Sequence, residues 1–366
     1  MNDSKLMYKL MTPGPVPLSE EVLKELALPV IHHRTDEFEA ILAQILKRLK
    51  IVFMTGQPCF VLTATGTGGM EASMVNTIQR GDTVITIDSG KFGARWHELA
   101  LALGYKSILL KFPWGSAIDV QKIADALKQY PEARAILCQA CETSTGALLP
   151  VEQISKLTKN TTCLLIVDAV TGLGAFPIKM DEWGVDVLIS GSQKALSLPT
   201  GLTVLSLSQR ALEAAKKIAP TQTFYWNLIE ELKANEKSQT RFSSAVSLLR
   251  ALNVALAHVE RVGLENIFNE HVQRAEVFRR HVLKNGVTLF PQIPSPSLTC
   301  LSVPVDSQKL QKHLQDKYKI VVMGGQDELK GKVLRIGHMG SMTLQDLEET
   351  SVAIHQSLLE IPDRNL

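Results

Sequence analysis

The 366-residue sequence has almost no charge imbalance, few cysteines and no long apolar run, and each shortage excludes a class of protein. Lys and Arg together number 39 against 37 Asp and Glu, a formal net charge of +2. That balance makes no broad electrostatic case for nucleic acid or an anionic membrane as partner; a small molecule is expected instead. The cysteines, at 59, 138, 141, 163 and 300, form an odd, scattered set of five in a chain long enough to be held by its own core. They argue against a disulfide framework and for a reducing compartment, the cytoplasm being the expected one. No apolar run reaches the length of a membrane span, and MNDSKLMYKLMTPGP lacks the apolar stretch of a secretory signal. Internal repeats, low-complexity tracts and long flexible linkers are missing too, so the parts of the chain are expected to pack tightly.

What is present between about residues 60 and 207 is a series of short β-rich runs: FVLTA, TVITI, KSILL, ARAILCQA, TCLLIVDA, VDVLIS and LTVLSLS. Most are separated by helix-length amphipathic intervals. Several are apolar without strict alternation, as strands covered on both faces must be, which predicts an α/β architecture around a mostly parallel, seven-stranded sheet. In such a sheet the site lies beyond the carboxyl ends of the strands. After about residue 220 the pattern changes. A polar stretch, EELKANEKSQTRFSS, leads into a long helical pattern and a second one after Gly263. Short strands are predicted near 287–290, 298–303, 319–322 and 332–336, with helices at 306–317 and 343–360: a smaller α+β domain. The expected division is an N-terminal segment 1–20, a large domain 21–245 and a small C-terminal domain 246–366. PQIPSPS, at 291–297, reads as a turn within the last.

Two constellations carry chemistry. In FVLTATGTGGMEAS, residues Thr65, Gly66, Thr67, Gly68 and Gly69 sit between a strand and a helix start, where free amides and hydroxyls can hold a phosphate. The segment is neither a dinucleotide fingerprint nor a P-loop, and a plain tight turn is the alternative. In CLLIVDAVTGLGA and VDVLISGSQKAL, Asp168 ends one apolar strand and Lys194 follows the next after a short turn. Such a carboxylate can pair with a cationic heteroaromatic nitrogen, and a desolvated lysine becomes an amine nucleophile able to form a Schiff base. Either residue alone could be a solvated end-of-strand charge. Taken with a phosphate cradle, the set matches the requirements of pyridoxal 5′-phosphate: phosphate anchor, pyridinium partner and aldehyde-binding lysine.

TPGPVPLSEEV, ATGTGGMEAS, ETSTG, VDAVTGLGA, SGSQKAL and LRIGHMG, in this order, resemble the class V, fold type I pyridoxal-phosphate aminotransferases, in the alanine/serine–glyoxylate branch. The likeness runs from Thr12 to about Leu359. It implies that Lys194 binds the cofactor aldehyde and later moves the proton, while Asp168 keeps the pyridine nitrogen protonated. It further implies that Thr65, Gly66, Thr67 and Gln193 contact the phosphate, Thr143 lies near the phenolic oxygen, and Phe92 stacks on the ring. QTRFSSAV matches a loop that reaches the neighbouring subunit's phosphate, placing Thr240 and Ser243 there and implying a homodimer with shared sites; it departs from the commoner TPFTPAV form. Arg335, in LRIGHMG, matches the arginine that clamps the substrate α-carboxylate, a task suited to its planar fork. The implied reaction is ping-pong transamination, from a small donor such as alanine or serine to glyoxylate or pyruvate. Aspartate, 2-aminoethylphosphonate and ureidoglycine are the alternative substrates.

Other readings compete. A cysteine desulfurase shares the fold and the lysine but commonly places a histidine over the ring and a nucleophilic cysteine on a late loop; here Phe92 takes the ring position and no cysteine follows Cys300. Some relatives in this branch are described as hydrogenase-associated subunits, against which the retained Lys194, Asp168 and Arg335 argue. Phe92 could be core, and Arg335 a structural ion pair. Cys138-x-x-Cys141 reads as buried structural thiols rather than a metal or redox site, and no metal is expected. His338 is assigned to packing or support, and His32-His33-Arg34 to a surface or subunit contact.

Overall fold

The computed structural model describes residues 8–361. The first seven residues of the 1–20 segment and the last five of 246–366 lie outside the described residues. All seven runs marked in the sequence form strands: β1 Cys59–Leu62, β2 Thr83–Asp88, β3 Lys106–Lys111, β4 Ala135–Gln139, β5 Leu164–Asp168, β6 Val187–Gly191 and β7 Thr203–Leu207. They make one sheet in the order β1-β7-β6-β5-β4-β2-β3. The β2–β3, β2–β4, β4–β5 and β5–β6 pairs are parallel, and β7 runs antiparallel to both β1 and β6. β1 therefore points the same way as β6, and six carboxyl ends share one edge of the sheet.

The non-alternating apolar strands are explained by cover on both faces. Ile85, Ile87, Ile136, Cys138, Leu165, Val167, Leu188 and Val204 pack into one core cluster. The intervening Val84, Ala135, Leu137, Leu164, Ile166, Val187, Ile189 and Leu205 pack into another. On the first face lies α1, Asp36–Phe53, whose Phe38, Leu42, Ile45 and Leu49 recur at helical spacing. Thr35 caps its start by accepting from Phe38 N at 3.3 Å. The second face is covered by α2, Gly66–Thr77, through Met70 and Met74, and α3, Lys91–Ala102, through Trp96 and Ala100.

Helix α4, Val246–Val262, joins the first core through Leu249, Leu252 and Leu256, and α5, Leu264–Val282, follows after Gly263. A four-stranded antiparallel sheet of β8 Thr288–Leu289, β9 Leu298–Ser302, β10 Met323–Gly324 and β11 Val333–Gly337, in the order β8-β9-β11-β10, carries a third core. That core is completed by α5, α6 (Ser307–Tyr318) and α7 (Leu344–Glu360). A capping box starts α7: Asp346 N donates to Thr343 Oγ1 at 3.1 Å, and Thr343 N to Asp346 Oδ2 at 2.8 Å. The strand expected at 319–322 does not join the small sheet: Ile320–Val321 pairs in parallel with Lys9–Leu10 near the start of the chain, and the strand that joins the small sheet is Met323–Gly324, just beyond the expected run. A four-residue run offers no signal for so distant a partner.

Among the described residues, no helix is long and apolar enough to cross a membrane. Trp96 is fully buried between α3 and the sheet, its indole N–H donating to the Cys138 carbonyl at 3.1 Å. Trp96→Ala should cost about 3–5 kcal/mol of folding stability, read from urea unfolding; a loss under about 1 kcal/mol would mean the second core does not depend on this ring.

Candidate active site

Five loops leave the shared edge of the sheet and converge. After β1 comes Thr65-Gly66-Thr67, after β2 Phe92, after β4 Thr143, after β5 Asp168 and Val170, and after β6 Gln193 and Lys194. These residues, with Met70, Arg95, Cys141 and Thr171, line one cavity of about 260 Å³. Side chains far apart in the chain meet here because parallel strands end together.

Lys194 and Asp168 are both buried, with 9% and 6% of their surfaces exposed. Burial and the nearby Arg335 guanidinium push the Lys194 amine down to about 8 from an ordinary 10.5, while Asp168 pulls the other way. Its Nζ donates to the Pro13 carbonyl at 2.6 Å. Asp168 accepts from Val170 N at 2.8 Å through Oδ1. Burial raises its carboxyl to about 6 against the pull of that N–H. A cation brought against Asp168 would stabilise its ionised form against the cost of burial, so this carboxylate suits a positively charged partner.

The Thr65–Thr67 part of the cavity wall suits an anion. Thr65 is the N-cap of α2 but makes no side-chain capping bond, so the first-turn amides and its hydroxyl are available. A Cβ on Gly66 would lie 2.5 Å from Val170 Cγ2, so only glycine lets this turn approach β5. Gln193 Oε1 is buried without a partner beside the same turn. Phe92 is half-buried at the start of α3, and the Arg95 guanidinium sits 4.8 Å from its ring centre while Nη1 donates to Thr67 Oγ1 at 3.3 Å.

Arg335 reaches the site from β11 of the small sheet and is 4% exposed. Among the described residues it has no carboxylate within ion-pair distance. Nε donates to the Gly324 carbonyl at 3.0 Å and Nη1 to the Thr143 carbonyl at 3.1 Å, leaving Nη2 unengaged. The reading of Arg335 as a structural ion pair is thereby set aside.

A family profile described as Aminotransferase class-V matches residues 19–349. The chain belongs to the class V aminotransferases. It is 36% identical to an uncharacterized aminotransferase of Methanocaldococcus jannaschii over 96% of this chain and 93% of that protein. It is 35% identical to a protein of Anabaena cylindrica named soluble hydrogenase 42 kDa subunit, over 99% and 96%. Among solved structures, an alanine–glyoxylate aminotransferase from Nostoc sp. superposes with a TM-score of 0.92 at 29% identity, covering 98% of this chain and 97% of that one. The fold is thus that of fold type I aminotransferases, acting on small amino and oxo acids.

Three predicted residues of this aminotransferase do not line its cavity: Arg335, which meets it through the Thr143 carbonyl, and Thr240 and Ser243. Thr240 and Ser243 line a separate, small cleft with Thr63, Tyr225 and Phe242. Thr240 is buried and bonds to the Phe242 carbonyl at 2.8 Å, whereas Ser243 is exposed. His338 lies outside as well, fully buried against Phe278, with Nε2 paired to Thr299 Oγ1 at 2.7 Å. His32 and His33 stack at 4.6 Å on the surface, and Arg34 Nη1 donates to Gln239 Oε1 at 2.6 Å. All five cysteines are buried and unpaired, and burial pushes Cys141 up to about 12. No cluster of His, Cys, Asp and Glu able to hold a metal occurs among the described residues.

Sequence reasoning missed three contributors. The segment Thr12–Pro15 folds over Lys194, and Gly14, at φ 130°, comes so close that a Cβ there would lie 2.5 Å from Nζ. In the sequence, TPGP carried only part of the family resemblance, with no role assigned to it. Arg95 is masked by its place in an ordinary amphipathic helix, and Glu142 looks like a surface charge in ETSTG.

For the cofactor-free aminotransferase, acylation of Lys194 by a small amine-directed reagent should rise with pH through a midpoint near 8, since the neutral amine reacts and burial favours it. Mass spectrometry of the Lys194 peptide measures this; a midpoint near 10.5 would mean a solvated amine.

Proposed function

We propose that the protein uses pyridoxal 5′-phosphate to transfer an amino group from a small donor, alanine or serine, to glyoxylate or pyruvate. The observation that carries this reading is the presence, in the wall of one cavity, of a desolvated lysine, a buried aspartate and a helix N-terminus with no side-chain cap. The orphaned Gln193 Oε1 beside that turn, and the glycine that admits it, fit a group bearing a phosphate. When bound, the cofactor supplies an aldehyde for amines and an electron-withdrawing ring.

In this reading Thr65, Gly66, Thr67 and Gln193 hold the phosphate, Phe92 covers the ring, and Thr143 lies at its phenolic edge. Asp168 keeps a proton on the ring nitrogen. Lys194, with an amine that burial brings down to about 8, would bind the aldehyde and, once freed by a donor amine, would carry a proton between the substrate Cα and C4′, the cofactor's aldehyde carbon. Arg335 grips the α-carboxylate through its free Nη2 edge and so orients the Cα–H bond toward Lys194. Arg95 is a second cation on the wall, but its bond to Thr67 ties it to the phosphate end, which favours a donor with one carboxylate over aspartate. Other relatives carry the names aspartate–glyoxylate and serine–glyoxylate aminotransferase at 31% identity.

Thr240 and Ser243, outside their own cavity, are proposed to serve the site of a second copy, making the active form a homodimer; the five unpaired cysteines support a cytoplasmic location. A division into 21–245 and 246–366 is proposed on the chain's own pattern, with α4 packed across the join. A desulfurase is disfavoured because Cys300, the last cysteine, is buried in β9 and its thiol is pushed up to about 12. The hydrogenase-associated name of one relative raises a binding-only role as the second reading.

Lys194→Ala should abolish both turnover and the visible absorbance of bound cofactor; an active, normally coloured variant would sink the assignment. Asp168→Ala should lower turnover at least about a hundredfold with cofactor still bound. In single half-reactions with a donor panel, alanine or serine should shift the cofactor absorbance fastest. Aspartate or 2-aminoethylphosphonate winning would replace the substrate proposal, and no shift with any donor would favour the binding-only role.

A further inference from the structure

Glu142 is fully buried just beyond the carboxyl end of β4, and five donors converge on its carboxylate, with the Asp168 carboxylate the like charge nearby. Oε2 accepts from Gly93 N at 2.9 Å, Phe92 N at 3.1 Å and Gln139 Nε2 at 2.9 Å. Oε1 accepts from Ser144 N at 3.1 Å and Ser144 Oγ at 2.5 Å. Ser144 Oγ in turn accepts from Lys91 N at 3.1 Å. Helix α3 begins at Gly90, which has no side chain to cap it, so its first three amides are satisfied from a remote loop. Close approach is built in: a Cβ on Gly90 would lie 2.5 Å from Glu142 Cγ, and one on Gly93 2.9 Å from Gln139 Nε2.

An acceptor-only group is the single side-chain type that satisfies this ring of donors, and an anion at a helix N-terminus is favoured by the peptide dipoles. The consequence reaches the cavity, because Phe92 is one of the residues whose backbone is held. Gln139, hydrogen-bonded to Glu142, is the β4 register partner of Asp168. The carboxylate therefore ties the backbone of Phe92 to the strand pair that carries Asp168, while the next residue, Thr143, holds Arg335 through its carbonyl.

We propose that Glu142 is a positioning residue that sets the height and tilt of the Phe92 ring over the cofactor, acting from outside the cavity through the first turn of α3. This rests on the pyridoxal-phosphate reading of the site, with Phe92 as the stacking ring. Glu142→Gln keeps size and shape but turns an N–H₂ toward N–H donors, so at least one amide of α3 loses its acceptor.

The test is a double-mutant cycle on cofactor affinity, with amide exchange of the cofactor-free protein beside it. Pyridoxal phosphate is titrated into wild type, Glu142→Gln, Phe92→Leu and the double variant. Glu142→Gln should weaken binding about tenfold in the wild-type background and hardly at all beside Phe92→Leu. Without cofactor, exchange at residues 91–93 should quicken about tenfold in Glu142→Gln while 66–77 is unchanged. Should Glu142→Gln not fold, Ser144→Ala, which frees Lys91 N and removes one donor from Glu142, goes through the same cycle with a smaller effect in the same direction. Equal losses in both backgrounds, or unchanged affinity, or unchanged exchange would overturn the proposal. A wild-type protein that takes up no pyridoxal phosphate would overturn the proposed function as well, whereas wild-type uptake that the variant matches overturns this inference alone.

Discussion

The amine of Lys194 has been taken out of water, and the surroundings needed to do that account for much of the molecule. Burial and the Arg335 guanidinium favour the neutral amine, while Asp168 and the Pro13 carbonyl keep it polar and aimed. Each of these neighbours comes from a different part of the chain. Asp168 requires the parallel β5–β6 pair, Arg335 requires the small sheet to press against the large one, and Pro13 requires the N-terminal segment to cross both. A solvated lysine could have been placed on any one of these elements; a desolvated one needs all of them.

The N-terminal segment binds the two parts together. Gly337 N donates to the Met11 carbonyl at 3.0 Å, Met11 is buried in the small-domain core, and Lys9–Leu10 adds to Ile320–Val321. From there the chain turns through Pro13 and Gly14 over the large-sheet site. Movement of one sheet against the other is thus felt at the carbonyl that holds Lys194. The cavity wall combines the apolar Phe92, Met70 and Val170 with Lys194, Asp168, Arg95 and several hydroxyls, a mixture that suits an aromatic group bearing charged substituents.

Much of this was legible early. The seven β-rich runs became the seven strands because a strand covered on both faces has no free choice of residue, and β-branched and aliphatic side chains dominate it. The helices expected at 306–317 and 343–360 are found at Ser307–Tyr318 and Leu344–Glu360, each one residue later at its start because Asp306 and Thr343 are the capping residues that precede them. Lys194, Asp168 and the Thr65–Thr67 turn stood out because a charge or glycine run at the end of an apolar strand breaks local expectation. Glu142, Arg95 and Gly14 did not, since each is ordinary in its own neighbourhood and becomes unusual only through contacts made many residues away. The pairing of Ile320–Val321 with Lys9–Leu10 rather than with the small sheet was hidden for the same reason.

Local physics written in the sequence therefore determined the strands, the helix caps, the absence of a membrane-length helix among the described residues, and the chemical types that the site would need. Tertiary structure decided which of the many charges lost their water. It placed Lys194 beside Arg335, put a ring of donors around Glu142, brought a backbone carbonyl from residue 13 to an amine at residue 194, and left Thr240 and Ser243 outside the cavity of their own chain. Desolvation and directed hydrogen bonds depend on what surrounds a group in three dimensions, and a linear pattern of residue types does not contain that information.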